Sequence, residues 1–160
     1  MAEGNELQQF LEDAEATTAF GRRLADALPR EGRFAIALGG SLGAGKSTLA
    51  RALLRGLGVA GPVPSPTYTL IEPYATARGP AYHMDLYRLE SVEDATLPGL
   101  EDIVEEPALF LVEWPERGGG NPIVFDLELE LEHAGRGRRL RGRAWTACAE
   151  GVVNELKDGA

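Results

Sequence analysis

The sequence predicts an α/β fold with a mixed, mainly parallel sheet and a C-terminal antiparallel hairpin. Continuous apolar runs at residues 33–38 and 108–114 are typical of strands covered on both faces. Segments 13–28 and 47–58 have the apolar spacing of amphipathic helices. Strict alternation over residues 123–132 indicates a late strand with one side in water.

Both predicted helices carry end signals. Asp13 precedes the first helix and can cap its free N–H groups. Gly58 follows the second helix, where a left-handed residue is expected. One face of the first helix carries its apolar side chains, namely Ala16, Ala19, Phe20, Leu24, Ala27 and Leu28.

The middle of the chain predicts further short elements. Segments 69–74 and 81–89 have the pattern of strands joined by a loop at 75–80. Residues 91–106 predict one or two short helices, broken near Pro98. These elements connect the phosphate-binding motif described below to the second buried strand.

The late alternating strand predicts its own partner. A turn at residues 133–138 would return the following basic segment as an antiparallel strand. In that register both faces agree, because arginines meet glutamates and leucine meets leucine. The predicted pairs are Arg139–Glu132, Arg141–Glu130, Arg143–Glu128 and Leu140–Leu131.

Bulk properties limit the possible functions. A length of 160 residues predicts a single domain over 1–160, with frayed ends at 1–12 and 152–160. The net charge of −9 has the wrong sign for binding nucleic acid directly. Cys148 is the only cysteine, which excludes an internal disulfide. No apolar run approaches the roughly 20 residues of a membrane span, and no secretory signal is evident, so a cytoplasmic location is expected.

Residues 40–47, GSLGAGKS, match the phosphate-binding pattern GxxxxGK[ST]. Glycines let backbone N–H groups point at phosphate oxygens, and the following helix adds its positive end. Lys46 is expected to reach the β- and γ-phosphates, and the Ser47 hydroxyl to bind magnesium. A glycine-rich turn matching by chance is disfavoured by the strand before it and the helix after it. The predicted nucleotide contacts are Ser41, Leu42, Gly43, Ala44, Gly45, Lys46, Ser47 and Thr48.

This motif predicts the three-layer sandwich of P-loop NTPases, and elimination favours ATP. The chain has neither an Asn-Lys-x-Asp guanine reader nor an aspartate with glycine three residues on, as GTPases carry. It also lacks an LSGGQ-like signature. Residues 91–106 are acidic where small-molecule kinases usually have an arginine-rich lid.

Two carboxylates are candidates to complete a magnesium site and to act in catalysis. Asp85 and Glu113 each lie near the C-terminal end of a predicted strand, the edge where open α/β sheets bind ligands. Glu113 could orient water or hold the metal through water. Trp114 either stacks near the nucleotide or fills the core at a strand end. For His83, a structural hydrogen-bonded role is favoured.

The ordered motifs GSLGAGKST, PSPTYTLIEPY, YHMDLYRL, LPGLEDI and LVEWPE closely resemble the TsaE family. These are small bacterial ATPases needed to make threonylcarbamoyladenosine in tRNA. The resemblance is strong over residues 13–117 and looser in the terminal hairpin. It implies an ATPase, weak alone, that uses ATP and magnesium to reset the complex of TsaB and TsaD between turnovers. The partners would handle tRNA, and no membrane is expected to take part.

The resemblance also implies roles for individual residues. Lys46 and Ser47 match the phosphate and metal positions, Asp85 the metal-associated aspartate, and Glu113 with Trp114 the Glu-Trp pair. Two departures stand out. The family usually has aspartate at the position of Ser41, and often threonine at that of Ser47. The second change keeps the hydroxyl, whereas the first removes a charge from the phosphate loop.

The segment PSPTYT, residues 64–69, matches the family's switch-like threonine at Thr67. Its prolines restrict the chain to extended geometry, so closing onto a γ-phosphate would lose fewer conformations. Thr67 is then the expected sensor and catalytic contributor, supported by Ser65 and Thr69. The residues alone allow equally a stiffened loop whose hydroxyls satisfy local backbone.

Three functions therefore remain in competition. The first is a magnesium-dependent ATPase that drives turnover of the tRNA-modifying assembly. The second is an ATP-gated binding module whose hydrolysis is incidental. The third is a small-molecule kinase, which predicts phosphoryl transfer to an added acceptor without protein partners.

Overall fold

A computed structural model describes residues 5–64, 66, 70–87, 100–117 and 123–159 of the chain. Strands and helices alternate through most of it. In chain order the elements are β1 (Glu6–Leu11), α1 (Ala14–Ala27), β2 (Phe34–Gly40), α2 (Lys46–Gly56), β3 (Ile71–Thr76), β4 (Gly79–Asp85), α3 (Leu100–Ile103), β5 (Leu109–Glu113), a 3₁₀ turn (Pro115–Arg117), β6 (Leu127–Ala134), β7 (Gly137–Ala144) and α4 (Ala147–Asp158).

The strands form one mixed sheet in the order β1-β7-β6-β2-β5-β4-β3. Its centre is parallel, because β2 pairs in parallel with β5 and β6, and β4 pairs in parallel with β5. The outer strands β3, β7 and β1 run antiparallel to their neighbours. The predicted mixed sheet is confirmed, and in the described part of the chain its three central strand pairs are parallel and its three outer pairs antiparallel.

Among the described residues, three helices pack on one face of the sheet, and the single helical turn α3 packs on the other. The larger core packs α1, α2 and α4 against one face, through side chains such as Phe20, Leu53 and Val153. On the other face, Ile103 of α3 and Val104 pack against Phe110 and its neighbours. Every residue of β5 is buried, as its continuous apolar sequence predicts. The three-layer α/β architecture is therefore confirmed.

The predicted helix ends are confirmed. The Asp13 carboxylate accepts a hydrogen bond from the Ala16 N–H at 2.8 Å, which caps α1. Gly58 has a φ of 95°, the left-handed conformation expected just after α2.

The C-terminal hairpin has the predicted register but a tighter turn. Glu132 pairs with Arg139, Glu130 with Arg141 and Glu128 with Arg143, while Leu131 pairs with Leu140. The strands continue to Ala134 and Gly137, so the turn is shorter than the predicted loop at 133–138. Gly135, with a φ of 62°, permits this tight connection.

Several predicted strand boundaries are wrong, and the strand predicted at 81–89 ends at Asp85. The strand predicted at 123–132 starts at Leu127, because Asp126 caps the ladder. Its carboxylate accepts from the Ala35 N–H at 2.8 Å, and its own N–H donates to the Ala35 carbonyl. The loop predicted at 75–80 is largely strand, since β3 and β4 pair from Ile71–Met84 to Thr76–Gly79.

The described residues at both ends of the chain, where fraying is predicted, form regular elements. β1 pairs with β7 along its whole length. Residues 147–158 form α4, whose first turn is capped by the Thr146 hydroxyl and whose Val152, Val153 and Leu156 are buried. Short local signals could not predict β1, because the strand depends on an edge that the distant hairpin provides.

Most of the helical segment predicted at 91–106 lies outside the described residues. Of that segment the structure describes residues 100–106, with α3 as one short helical turn. In the part of the chain that the structure describes, no helix is both long and apolar enough for a membrane crossing.

Helices α1 and α2 cross closely at Gly21. A Cβ added there would lie 2.6 Å from the Ala52 Cβ and 3.1 Å from the Leu49 carbonyl oxygen. We expect Gly21→Ala to lower the free energy of unfolding by roughly 1–3 kcal/mol, because the packed helices must separate. Denaturant unfolding followed by circular dichroism measures this change.

Gly151→Ala is the matched control, because Gly151 is helical, exposed and open to an added Cβ. We expect it to raise stability by up to about 1 kcal/mol through helix propensity. Equal unfolding midpoints for Gly21→Ala and the unmodified protein would contradict the close crossing.

Candidate functional site

Parallel pairing brings the predicted site residues to one edge of the sheet. Leu38 near the end of β2 lies opposite Glu113, the last residue of β5. Glu113 in turn lies opposite Asp85, the last residue of β4. Since parallel strands end at the same edge, the phosphate motif after β2 lies beside both carboxylates. This is the edge at which open α/β sheets bind ligands.

Two glycines shape the phosphate loop. Gly40 has a φ of 126°, and a Cβ there would lie 2.0 Å from the Leu131 carbonyl oxygen of β6. Gly45 has a φ of 104° and immediately precedes α2. The chain can therefore turn sharply from β2 into α2 and leave backbone N–H groups at the positive end of that helix. The motif forms the strand–loop–helix unit that its sequence predicts.

Lys46 is buried within this unit. Its Nζ donates to the Gly40 carbonyl at 2.5 Å and lies 3.4 Å from the centre of the Trp114 ring. Burial lowers the pKa of Lys46 below its ordinary value, while neighbouring carboxylates act in the opposite direction. The carboxylates concerned are Glu113, Glu116, Asp85 and Glu132.

The two predicted carboxylates are both buried beside the start of α2. Glu113 is only 2% exposed, and its Oε1 accepts from the Ser47 hydroxyl at 3.2 Å. Its Oε2 lies 2.6 Å from His83 Nε2. Asp85 is 6% exposed, and its Oδ1 accepts from the Tyr87 N–H at 3.0 Å. His83 has the structural hydrogen bond expected of it, but its partner is a candidate catalytic residue.

These oxygen donors fit a nucleotide-bound magnesium ion. Within the described ranges, no group of three or more His, Cys, Asp or Glu side chains could hold a metal by itself. Magnesium typically takes one or two protein oxygens and completes its shell with phosphate and water. Ser47 and Glu113, with Asp85 at the next strand end, provide oxygens of that kind beside the phosphate loop.

Trp114 owes its position to an unusual backbone conformation. Its φ is 56°, which is uncommon for a residue with a side chain. Its N–H donates to the Leu38 carbonyl at 3.2 Å, and its ring lies 4.9 Å from the Tyr87 ring. This turn carries the ring out of the sheet and onto Lys46. Trp114 packs against the smaller core, as one sequence-based interpretation expects, and its ring also lies over Lys46 at the phosphate loop. Stacking on a nucleotide stays a prediction.

The terminal hairpin holds the phosphate loop from the other side, a contact that the sequence did not predict. Arg138 donates to the Ala44 carbonyl at 3.0 Å and to the Gly43 carbonyl at 3.3 Å. The Ser41 hydroxyl donates to Glu132 Oε2 at 2.9 Å. A predicted turn next to basic residues was the only local signal, and it does not reveal which loop the turn contacts.

Two cavities flank the phosphate loop. One, of about 380 Å³, is lined by predicted nucleotide and metal residues from Leu42 to Trp114. The second, of about 160 Å³, lies between the start of α1 and the hairpin. Both are lined by Gly43, Gly45 and Thr48, so they adjoin the same stretch of loop.

A larger groove, of about 590 Å³, lies over the exposed faces of β1, β7 and β6. It is lined by glutamates and arginines that stand opposite one another in the strand register, and by Pro115 and Phe125. It contains neither Lys46 nor the buried carboxylates. The phosphate-loop cavities are therefore the better candidate site despite their smaller volume.

The segment expected to sense the γ-phosphate lies outside the described residues at Ser65, Thr67, Tyr68 and Thr69. The sensor role of Thr67 therefore stays a prediction.

Comparison with known proteins decides the family. The sequence model described as threonylcarbamoyl adenosine biosynthesis protein TsaE matches residues 11–141. The chain belongs to the TsaE family. It is 34% identical over 155 residues to the tRNA threonylcarbamoyladenosine biosynthesis protein TsaE of Haemophilus influenzae, covering 95% of this chain and 98% of that protein. The protein of the same name from Streptomyces coelicolor is 42% identical, over 71% of this chain and 77% of its own length.

The fold also matches a solved structure. The crystal structure of Bacillus subtilis YdiB superposes with a TM-score of 0.78 and 28% sequence identity. The match covers 99% of this chain and 97% of YdiB, so it includes β1 and α4 at the two ends.

TsaE proteins usually have aspartate at position 41, where this chain has Ser41 in contact with Glu132. An aspartate at position 41 would face Glu132 across a hydrogen-bonding distance. We expect Ser41→Asp to destabilise the protein by up to about 1 kcal/mol, with the loss reduced by salt because the site is partly exposed. Thermal unfolding at low and high ionic strength measures it.

The control is the double variant Ser41→Asp with Glu132→Gln. If repulsion between the carboxylates at positions 41 and 132 causes the loss, removing the one at 132 should restore stability. A double-mutant cycle measures this coupling. An unchanged deficit in the double variant would refute this cause.

Proposed function

We propose that this chain binds ATP with magnesium and hydrolyses it to support turnover of a TsaB–TsaD complex that modifies tRNA. The observation that supports this most strongly is the meeting of a glycine loop, Lys46 and two buried carboxylates at one sheet edge. The family's role in threonylcarbamoyladenosine biosynthesis agrees with it. The net charge of −9 favours leaving tRNA to the partners.

Each residue contributes through chemistry it already displays. Backbone N–H groups of residues 41–48 and the start of α2 bind the phosphates. Lys46 exchanges its contacts with Gly40 and Trp114 for phosphate oxygens, which makes up for the burial of its charge. Ser47, Asp85 and Glu113 would hold magnesium, directly or through water. When bound, magnesium neutralises the charge of the β- and γ-phosphates.

Glu113 is the residue best placed to act on water. Its side chain is buried, and both carboxylate oxygens have a hydrogen-bond partner: the Ser47 hydroxyl at Oε1 and the His83 ring at Oε2. A carboxylate held in this way either orients the attacking water or holds a magnesium-bound water. In both roles the carboxylate of Glu113 is needed for hydrolysis more than for ATP binding.

Lys46→Ala tests nucleotide binding. We expect the dissociation constant for ATP to rise by about tenfold or more, because charge-assisted hydrogen bonds contribute roughly 1.5–3 kcal/mol. Isothermal titration calorimetry with ATP and magnesium measures it. Lys157→Ala, at the far end of α4, is the matched control and should bind as the unmodified protein does. Equal affinities for the two variants would refute the binding site.

Glu113→Gln separates hydrolysis from gating. We expect ATP affinity to stay within about threefold, while hydrolysis falls by about 100-fold, as is typical when a general acid–base group is lost. The assay is multiple-turnover tRNA modification reconstituted with TsaB, TsaD, substrate tRNA and this chain. Lost modification with retained ATP binding supports hydrolysis, whereas full modification identifies an ATP-gated binding module. If omitting the chain altogether leaves multiple-turnover product unchanged, the proposed function fails.

A further inference from the structure

His83 and Glu113 form a buried pair inside the sheet. Each residue is 2% exposed, and His83 Nε2 lies 2.6 Å from Glu113 Oε2. A buried carboxylate is costly unless hydrogen bonds satisfy it, so this contact determines where the side chain of Glu113 can lie. Neither the phosphate motif nor the magnesium ligands account for a histidine at this place.

The strand register keeps this contact in place. His83 lies opposite Leu111, and Glu113 lies two residues further along the same strand, opposite Asp85. His83 and Glu113 are therefore diagonal neighbours on one face of a parallel pair, within reach of long side chains. Both residues belong to regular strands, which hold a functional side chain more firmly than loops do.

The two oxygens of Glu113 have different neighbours. Oε2 is occupied by His83, and Oε1 faces the Ser47 hydroxyl at 3.2 Å. An ionised carboxylate oxygen only accepts, so this contact assigns the donor role to Nε2 of the imidazole. Within the described residues, His83 Nδ1 has no hydrogen-bond partner. By holding Oε2, the imidazole leaves Oε1 of Glu113 facing the phosphate loop.

We propose that His83 is a positioning residue that holds Glu113 Oε2 so that Oε1 faces Ser47 and the nucleotide. This inference rests on the proposed function, because it gives Glu113 its orientation for ATP hydrolysis. Without the histidine, the terminal torsion of Glu113 is broad and either oxygen can turn away. Removing His83 should therefore lower the rate of hydrolysis and not the affinity for ATP, because Lys46 and the glycine loop still bind the phosphates.

His83→Leu and His83→Gln form the test pair. Leucine removes the hydrogen-bond donor. Glutamine keeps a donor, because its amide nitrogen reaches about as far as the imidazole Nε2. In the complex with TsaB and TsaD, we expect His83→Leu to lower kcat for ATP hydrolysis by about tenfold, as is typical for residues that orient a ligating group. KM and calorimetric ATP affinity should stay within about twofold, and His83→Gln should recover most of kcat. Unchanged kcat in His83→Leu, or equal losses in both variants, would overturn the proposal.

Nuclear magnetic resonance of the imidazole nitrogens provides a readout that needs neither activity nor a His83 variant. In the nucleotide-free protein we expect the His83 proton on Nε2, with a strongly deshielded proton resonance that moves in Glu113→Gln. A proton on Nδ1 with none on Nε2 would overturn the proposal, because Nε2 could then not donate to Glu113. This measurement can be made even if His83→Leu does not fold.

A second comparison separates this inference from the proposed function. In the Glu113→Gln background, His83→Leu should lower kcat no further, because both changes act through one group. If Glu113→Gln hydrolyses ATP as the unmodified protein does, the proposed catalytic role of Glu113 fails. If Glu113→Gln is impaired and His83→Leu is not, only the positioning role of His83 fails.

Discussion

The parallel pairing of β2 with β5 is the interaction on which the candidate site depends. It sets Leu38 opposite Glu113 and lets the phosphate loop leave the sheet beside that carboxylate. Pairing of β5 with β4 then adds Asp85 at the same edge. Because side chains alternate along a strand, a slip of one residue would turn Glu113 to the opposite face. The buried apolar side chains of β5 oppose that slip.

Burial of several charged and polar side chains at this edge follows from that arrangement. Lys46, His83, Asp85 and Glu113 are all buried, and each has partners within the fold. Burial strengthens their interactions but also makes any lost partner costly. The same environment suits an anionic, metal-bound ligand, because phosphate and magnesium can exchange with contacts that the protein already makes. The residues that hold the site together and those proposed to act on ATP are therefore largely the same.

Local signals predicted the local features of this protein. The phosphate motif, the Asp13 cap and the left-handed Gly58 each depend on neighbours within a few residues, and each has the predicted structure. The hairpin register was also predictable, because alternating glutamates and leucines meet arginines and leucines on matching faces. Strand ends were harder to predict. The start of β6 depends on Asp126 capping Ala35, which is distant in sequence.

Short sequence patterns were enough to predict the GxxxxGK[ST] motif, the α/β class, the family resemblance and the two carboxylates at strand ends, since these are properties of short segments and their order. Long-range packing places Trp114 over Lys46, Arg138 on the phosphate loop and His83 beside Glu113. Each of these contacts joins residues far apart in the chain. Their geometry depends on sheet order and on one left-handed backbone angle, which no local pattern specifies.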